Sequence, residues 1–361
     1  MTKRKIKKAI KRLRKLPRGT AFFQYLSNKG KHFWMKASKS TKVAQPSTIM
    51  LELSAHCNIH CTVCPREYDY GKKMDQGFMD KEMAMKVIDE NWAYLDSIGL
   101  TGMGETFLYR DIEEIVDYIR SKNKGIVISV STNACAPKTL EYAGVLKDKI
   151  DTVQVSIDGL HETYNRIRIG SEFEKFSQNL KALSEMLKGS QTDLMLNMVV
   201  TKENYHQMAG MTSFAHEMGI PFLNFTLFNL ASVTGIEKEY YDFYVSEEFL
   251  KARKELEAAK AGYPSVEVTF WDHNKKNGFR NCPFPWTHFY ICWNGEVAPC
   301  CAKPFPKEMS FGNAFEKPLM EILNNEKYRN FRKMWFNNQT HPFCRKCHFI
   351  DLPRADQISN Q

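Results

Sequence analysis

The stretch Ile49-Met-Leu-Glu-Leu53-Ser-Ala-His-Cys57-Asn-Ile-His-Cys61-Thr-Val-Cys64 decides the fold. Its apolar start reads as a strand over 49–53, and three cysteines spaced CxxxCxxC follow on one tight loop. Three thiolates so placed can hold three irons of a cubane cluster and leave the fourth iron without a protein ligand, which makes it a site for chemistry. A structural zinc knuckle is the alternative. It needs a fourth ligand in tetrahedral geometry, which His56 or His60 would supply.

Outward from that loop the chain alternates. Strands are expected over 98–100, 126–130, 153–157, 194–200 and 222–227, and helices over 80–96, 111–123, 139–147, 172–188, 204–218 and 246–261. Six strand–helix alternations argue for an α/β fold with a parallel sheet covered by helices, either an open wound sheet or a partial barrel. Parallel barrels keep their ligands at the C-terminal ends of the strands, and the cysteine loop falls at such an end. Beyond Tyr263-Pro264 the rhythm changes. Residues 287–301 read as a hairpin, with strands over 288–292 and 296–300 joined by Asn294-Gly295 as a two-residue turn. A helix over 318–336 then leads to Cys344-Arg-Lys-Cys347.

The chain has 361 residues, which suggests about two domains. Its ten cysteines are too few for a secreted disulfide scaffold and too clustered for incidental core residues, so they point to metal in a reducing compartment. The formal net charge of +10 suggests an anionic partner at first sight. Its distribution changes that reading: residues 1–42 hold 15 of the 51 bases and no acid, and the remaining 36 bases face all 41 acids on the body. The basicity belongs to an arm. Ile6, Ile10, Leu13 and Leu16 recur there at helical spacing until Pro17, which reads as a short basic amphipathic helix. No apolar stretch has the length of a signal peptide or a membrane span, so the expected location is cytoplasmic.

The CxxxCxxC loop after the first strand resembles the radical S-adenosylmethionine (SAM) superfamily, and other motifs of that family follow in order over about residues 47–230. Gly102-Met-Gly104-Glu105, after the second strand, resembles its GGE-type motif, whose backbone and carboxylate hold the SAM amino group. Ser131-Thr132-Asn133 resembles the TNG turn, with Ala134 in place of glycine. Ser156-Ile-Asp158-Gly159 resembles SxDG, and Arg168 with Gly170 resembles the arginine that meets the SAM carboxylate or ribose. Taken singly these are ordinary loop-capping residues; four in register are not. Val63 departs from the pattern, because the family often has an aromatic residue there, near the adenine.

Cys282, Gly295-x4-Cys300 and Cys344-x2-Cys347 form a second constellation of four thiolates, fit for a 4Fe-4S cluster or for zinc. The arrangement resembles the SPASM and twitch extensions of radical SAM enzymes. No cysteine follows Cys347, so one auxiliary cluster of the twitch type is expected, and in that context iron-sulfur is favoured over zinc. Cys300 is preferred to its neighbour Cys301 because it completes Gx4C. Cys135 and Cys292 read as buried thiols. The resemblance thus implies a partial (β/α)6 barrel over 47–245, a linker helix with a small auxiliary-cluster domain over 246–361, and a basic arm over 1–46.

It also implies a function. A cluster on Cys57, Cys61 and Cys64 cleaves SAM reductively to a 5′-deoxyadenosyl radical, which abstracts hydrogen from a substrate. An auxiliary cluster that accepts a second electron makes the net change a two-electron oxidation, and an electron donor such as flavodoxin or ferredoxin feeds the system. A small or glycan-like substrate is the leading expectation, because residues 1–46 are too short and polar for the peptide-recognition domain that peptide-modifying relatives commonly bring. Asn224, Thr226 and Asn229 are candidates for hydroxyl contacts. A peptide-modifying maturase is the alternative. Lys and Arg near an anionic bilayer contribute about 1 kcal/mol each, so the arm could touch a membrane and bring a lipid-linked saccharide within reach. A reading of another class is a non-catalytic metal-cluster protein that binds membrane or nucleic acid through its arm, with affinity falling steeply with salt. Such a protein has no need of the GxGE, STN and SxDG turns in barrel order, and no nucleic acid is expected.

Anaerobically purified protein is expected to carry roughly eight irons, four per cubane. Iron and zinc analysis checks this, and about four irons with one zinc would remove the auxiliary cluster.

Overall fold

The structure is a computed structural model and describes residues 16–233, 236–271, 284–337 and 341–344, together with 282, 339 and 347. The basic helix expected at the N-terminus lies outside the described residues. The first described element is helix α1 (Thr20–Ala37). The chain then runs through β1 (Thr48–Leu51), β2 (His60–Cys61), α2 (Lys81–Asn91), β3 (Ser97–Leu100), α3 (Ile112–Lys122), β4 (Val127–Thr132), α4 (Thr139–Leu146) and β5 (Thr152–Ser156). Next come α5 (His161–Ile167), β6 (Arg168–Ile169), α6 (Phe173–Leu187), β7 (Asp193–Val200), α7 (Met208–Glu217) and β8 (Phe222–Leu227). The C-terminal third adds α8 (Glu237–Tyr244), α9 (Glu247–Gly262), β9 (Glu267–Trp271), α10 (Phe284–Thr287), β10 (His288–Ile291), β11 (Val297–Ala298), α11 (Leu319–Leu323) and α12 (Glu326–Phe336).

One sheet, in the order β11-β10-β1-β3-β4-β5-β7-β8-β9, holds every strand except the short β2–β6 pair. All its neighbours are parallel apart from β10 and β11. The six expected strands of the partial barrel are its centre. It is wider than the sequence suggests, because β9 extends one edge and the hairpin β10–β11 adds to β1 on the other. The auxiliary segment is therefore continuous with the barrel sheet across residue 245.

Parallel strands covered on both faces usually read as unbroken apolar runs. These alternate instead. Ile98, Leu100, Ile128, Val130, Val153, Val155, Leu196, Met198, Leu223 and Phe225 are buried under the helices, while Ser129, Ser131, Gln154, Ser156, Asn197, Asn224 and Thr226 are only half-buried on the concave face. The concave face thus lines a polar lumen.

Three local expectations are corrected. The helix expected over 318–336 is broken at Asn324-Asn325, where both side chains serve the backbone. Asn324 exchanges hydrogen bonds with Val43, accepting from its N–H at 2.8 Å and donating to its carbonyl at 3.1 Å. Asn325 caps α12 by accepting from the Tyr328 N–H at 2.8 Å. The hairpin loop has three residues, not two: the Cys292 N–H donates to the Glu296 carbonyl at 2.9 Å and Gly295, at φ 86°, closes a turn on Cys292. Finally, residues 20–46 belong to the body. Ala21, Tyr25, Asn28, His32 and Met35 of α1 are buried, and Lys29 pairs with Asp96 at 2.5 Å.

Arg332 clamps the C-terminal segment. Fully buried over the Tyr328 ring, it donates to the carbonyls of Pro285 (2.6 Å), Leu323 (2.6 Å) and Thr41 (3.2 Å). Burial pulls its pKa down to about 10, so it remains charged at neutral pH. Arg332→Ala leaves a cavity and three carbonyls without donors, and is expected to destabilise by about 3 kcal/mol. A lower urea midpoint at unchanged m would report it, and an unchanged midpoint would show that the clamp contributes nothing.

Candidate active site and auxiliary metal site

The cysteine loop leaves the C-terminal end of β1, where the sequence places it. Two backbone devices hold it. His60 and Cys61 form β2 and pair antiparallel with Ile169 and Arg168 of β6, and the Thr62 N–H donates to the Ile167 carbonyl at 2.9 Å. Tyr68 adds a third support, donating its hydroxyl to the Thr62 carbonyl at 2.6 Å. Burial pushes the thiols of Cys57, Cys61 and Cys64 up, Cys61 to about 12 and Cys64 to about 11, with Arg168 pulling Cys61 back and Arg66 pulling Cys64 back. Bare, they are neutral; a cationic iron core is what would ionise them, as metals do for coordinating thiols. The donor set therefore fits a cluster.

The other motif residues converge on this loop. Asn133 points its amide at the Cys57 Sγ (3.8 Å) and at Asn58 Oδ1 (2.9 Å). Its own N–H donates to Glu105 Oε2 at 2.6 Å, while Glu105 Oε1 accepts from the Thr132 hydroxyl (2.7 Å) and the Phe107 N–H (3.0 Å). Both carboxylate oxygens are thus engaged by this chain. Glu105 holds the turn after β4 against the GxGE loop. Burial raises its pKa, and the three donors pull it back. Gly104 permits the close approach: a Cβ there would stand 2.4 Å from the carbonyls of Ser54 and His56. Ala134, where the family has glycine, sits at φ 58° and is held by Asn179 and Thr132. The left-handed conformation costs roughly 1 kcal/mol there.

Arg168 and Asp158 form a buried ion pair at 2.6 Å, with 6% and 0% of their side chains exposed. Asp158 also accepts from the Val199 N–H at 2.8 Å. Arg168 is thereby turned to Asp158 beside Cys61, and its Nε has no hydrogen-bond partner among the described residues. Ser156 is half-buried in the lumen, in register with Asn197.

Sequence reasoning missed Glu52. Buried at the end of β1, it accepts from the Met103 N–H (2.8 Å), the Tyr290 hydroxyl (2.9 Å) and the Trp293 N–H (3.3 Å). It therefore joins the GxGE loop to the C-terminal hairpin. Gly102 packs on it, since a Cβ there would lie 2.3 Å from Glu52 Cγ. A charge inside the apolar run Met50-Leu-Glu-Leu53 was the available signal.

Across the lumen, strand register aligns Ser156, Asn197, Asn224 and Thr269 in one layer. Asn224 donates to Asn197 at 2.7 Å and accepts from Thr269 at 2.7 Å. Thr226 is half-buried one layer above. Asn229 is not a lumen group: its amide donates to Ser232 and to the Ala302 carbonyl, which ties the end of β8 to the auxiliary segment.

Cys282, Cys300, Cys344 and Cys347 line one apolar pocket, walled by Phe284, Phe331, Trp335 and Phe343. Cys301 does not line it; it packs with Tyr290, Cys292, Ala298 and Met50, which favours Cys300 as the ligand. Burial pushes the thiols of Cys282, Cys300 and Cys344 up as well, and Lys303, donating to the Phe343 carbonyl at 3.1 Å, puts a cation at the cavity wall. Among the described residues no three His, Cys, Asp or Glu side chains converge on one point. Four thiols around one pocket are the donor set that a cubane takes at its corners, and equally that of a tetrahedral ion.

Comparison with known proteins agrees with this geometry. Residues 51–215 match the family described as Radical SAM superfamily, and residues 282–348 match SPASM, an iron-sulfur cluster-binding domain. The chain is 25% identical over 327 residues to the tungsten-containing aldehyde ferredoxin oxidoreductase cofactor-modifying protein of Pyrococcus furiosus, covering 84% of this chain and 87% of that one. It is 25% identical to the antilisterial bacteriocin subtilosin biosynthesis protein AlbA of Bacillus subtilis, over 83% of this chain and 64% of that one. In fold it is similar to Streptococcus suis SuiB bound to precursor peptide SuiA, with TM-score 0.64 at 16% identity, covering 92% of this chain and 76% of that one.

Glu105→Gln replaces one acceptor oxygen by a donor that faces the Asn133 N–H or the Thr132 hydroxyl. Loss of a charge-assisted hydrogen bond there should weaken SAM binding about tenfold or more. Anaerobic equilibrium dialysis with SAM measures it, with iron content as the control; unaltered affinity would show that the Glu105 bridge does not position the SAM site.

Proposed function

From the premise that this chain is a radical SAM protein with a SPASM-type iron-sulfur domain, we propose that it carries out a two-electron oxidation of a neutral, hydrogen-bonding substrate held in the barrel lumen. When bound, the 4Fe-4S cluster and SAM supply hydrogen-atom abstraction from carbon, and the auxiliary cluster supplies an acceptor for the second electron. The residues of this chain do the placing. Cys57, Cys61 and Cys64 are the proposed cluster ligands, and Cys282, Cys300, Cys344 and Cys347 the auxiliary ones. Glu105 and Asn133 fix the turn beside Cys57, and Gly102 and Gly104 let the GxGE loop close on it. Ser156, Asp158 and Arg168 are the further proposed SAM contacts, with Arg168 held in place by Asp158.

The observation that carries the substrate class is the layer of Asn197, Asn224 and Thr269, which lies in register beside Ser156. It offers amides and hydroxyls and no charge. A peptide backbone, with its alternating donors and acceptors, satisfies such a layer. The relative named for bacteriocin biosynthesis supports this reading, while the other is named for modifying an enzyme's cofactor. A peptide or protein side chain is therefore the first substrate proposed, and a small glycan-like molecule, whose hydroxyls suit the same layer, is the second. A flavodoxin or ferredoxin is the proposed donor of the priming electron.

The test is reduction with SAM in the presence of a peptide encoded beside the gene, or of neutral sugars and aminocyclitols. Formation of 5′-deoxyadenosine matched by a product two hydrogens lighter is expected with the peptide. No nucleoside product would remove the enzyme reading, and turnover of the sugars alone would replace the peptide by the second substrate. Asn224→Ala is expected to raise KM for the true substrate about tenfold, the worth of one or two lost hydrogen bonds.

A further inference from the structure

Helix α1 has two opposed apolar faces. One, with Ala21, Tyr25 and Met35, is buried against the body. The other shows Phe23, Leu26, Phe33 and Trp34 to solvent, at 71%, 47%, 77% and 66% exposure. At 3.6 residues per turn these four side chains fall in one stripe roughly 100° wide. Gly30 lies within the stripe, and a Cβ there would meet nothing within 4 Å. Four large apolar side chains so grouped are a surface with an unmet partner.

The charge around the stripe says which partner. Arg18, Lys31, Lys39 and Lys42 are exposed near it, and the chain has no acidic residue before Glu52 and 15 bases in its first 42 residues. Two copies meeting through this face would bring like charges together. A convex stripe of Phe, Trp and Leu flanked by bases has the composition of a helix that lies in a bilayer interface, where aromatic rings sit at the headgroup level and bases meet anionic lipid. We propose that α1 docks this protein peripherally on an anionic lipid bilayer, with Phe23, Leu26, Phe33 and Trp34 entering the headgroup boundary.

The placement of α1 orients the docked molecule. Asn28 and His32 bind the Gln45 carbonyl, just ahead of β1, and Lys29 pairs with Asp96, which immediately precedes β3. The helix therefore sits at the N-terminal ends of the strands, while the cysteine loop leaves their C-terminal ends. A bilayer on α1 lies at the far end of the barrel from the SAM site, and the lumen opens to the aqueous side. That orientation weighs against a lipid-linked saccharide as substrate.

The test compares the full chain with Phe23→Ser/Phe33→Ser/Trp34→Ser, three exposed positions outside the site. Flotation uses vesicles of phosphatidylglycerol and phosphatidylethanolamine, with pure phosphatidylcholine as control. The unaltered chain is expected to float with the anionic vesicles, and the triple variant to partition about tenfold less or weaker still, with iron content and thermal midpoint unchanged. Failure of the unaltered chain to float, or equal flotation of both, overturns the proposal; in the second case the charge of the arm alone carries binding. A dimer in analytical ultracentrifugation that the triple variant dissolves makes the occupant a second copy. A variant that loses affinity for single-stranded oligonucleotide but not for vesicles makes it a nucleic acid. Either result overturns the bilayer.

Discussion

Arg168 and Asp158 meet at 2.6 Å with almost no solvent access to either, and the arrangement of the site hangs on that contact. Through its backbone Arg168 pairs with Cys61 in the β2–β6 ladder, so the guanidinium that is held by Asp158 also fixes the cysteine loop. Through its other oxygen Asp158 accepts from Val199 on β7. A charge pair taken out of water is costly unless both partners stay in place, and removing one partner leaves an uncompensated buried charge. The pair thus makes the loop after β1, the end of β5 and the end of β7 move together or not at all. It also sets the electrostatics: Arg168 is a cation beside thiols that burial otherwise keeps neutral.

The same logic recurs at Glu52 and Glu105. Each is a buried carboxylate held by three donors from this chain, and each ties together loops that leave different strands. Glu105 links the end of β3 to the turn after β4, and Glu52 links the end of β1 to the GxGE loop and the C-terminal hairpin. Backbone N–H groups supply most of the donors, so these acids organise loops whose own hydrogen bonds no ladder satisfies. Positioning by buried carboxylates leaves the lumen free for neutral polar groups.

Much of this was legible in the sequence because spacing carries it. The order of strands and helices follows from periodicity, and both cysteine constellations follow from CxxxCxxC and from Gx4C with CxxC. What was not legible depends on contacts between distant residues. Nothing local marks Glu105 as the brace between the GxGE loop and the turn after β4; the donors Thr132, Asn133 and Phe107 do. The break at Asn324-Asn325 could not be read because one of its causes, Val43, lies 281 positions away. Asn229 reads as a candidate for hydroxyl contacts until Ala302 arrives beside it. The second apolar face of α1 was also hidden, because only the fold divides its apolar residues into a buried side, with Ala21, Tyr25 and Met35, and an exposed one.

The auxiliary cavity is fixed relative to the SAM site by the sheet itself. Because β10 pairs with β1 in parallel register, from Thr48 with His288 to Leu51 with Ile291, the hairpin that carries Cys300 moves with the strand that carries Cys57. Glu52 repeats the connection through Tyr290 and Trp293, and Cys301 with Cys292 packs Tyr290 against Met50 in the lumen. A metal site on a mobile lid would see its distance from the cysteine loop fluctuate. One built onto the edge of the catalytic sheet does not, since bending that distance requires breaking a ladder whose outward side chains, Ile49, Leu51, Phe289 and Ile291, are in the core. The sheet's continuation past the six barrel strands is thus what lets one chain hold two metal sites at a constant separation while its lumen stays open between them.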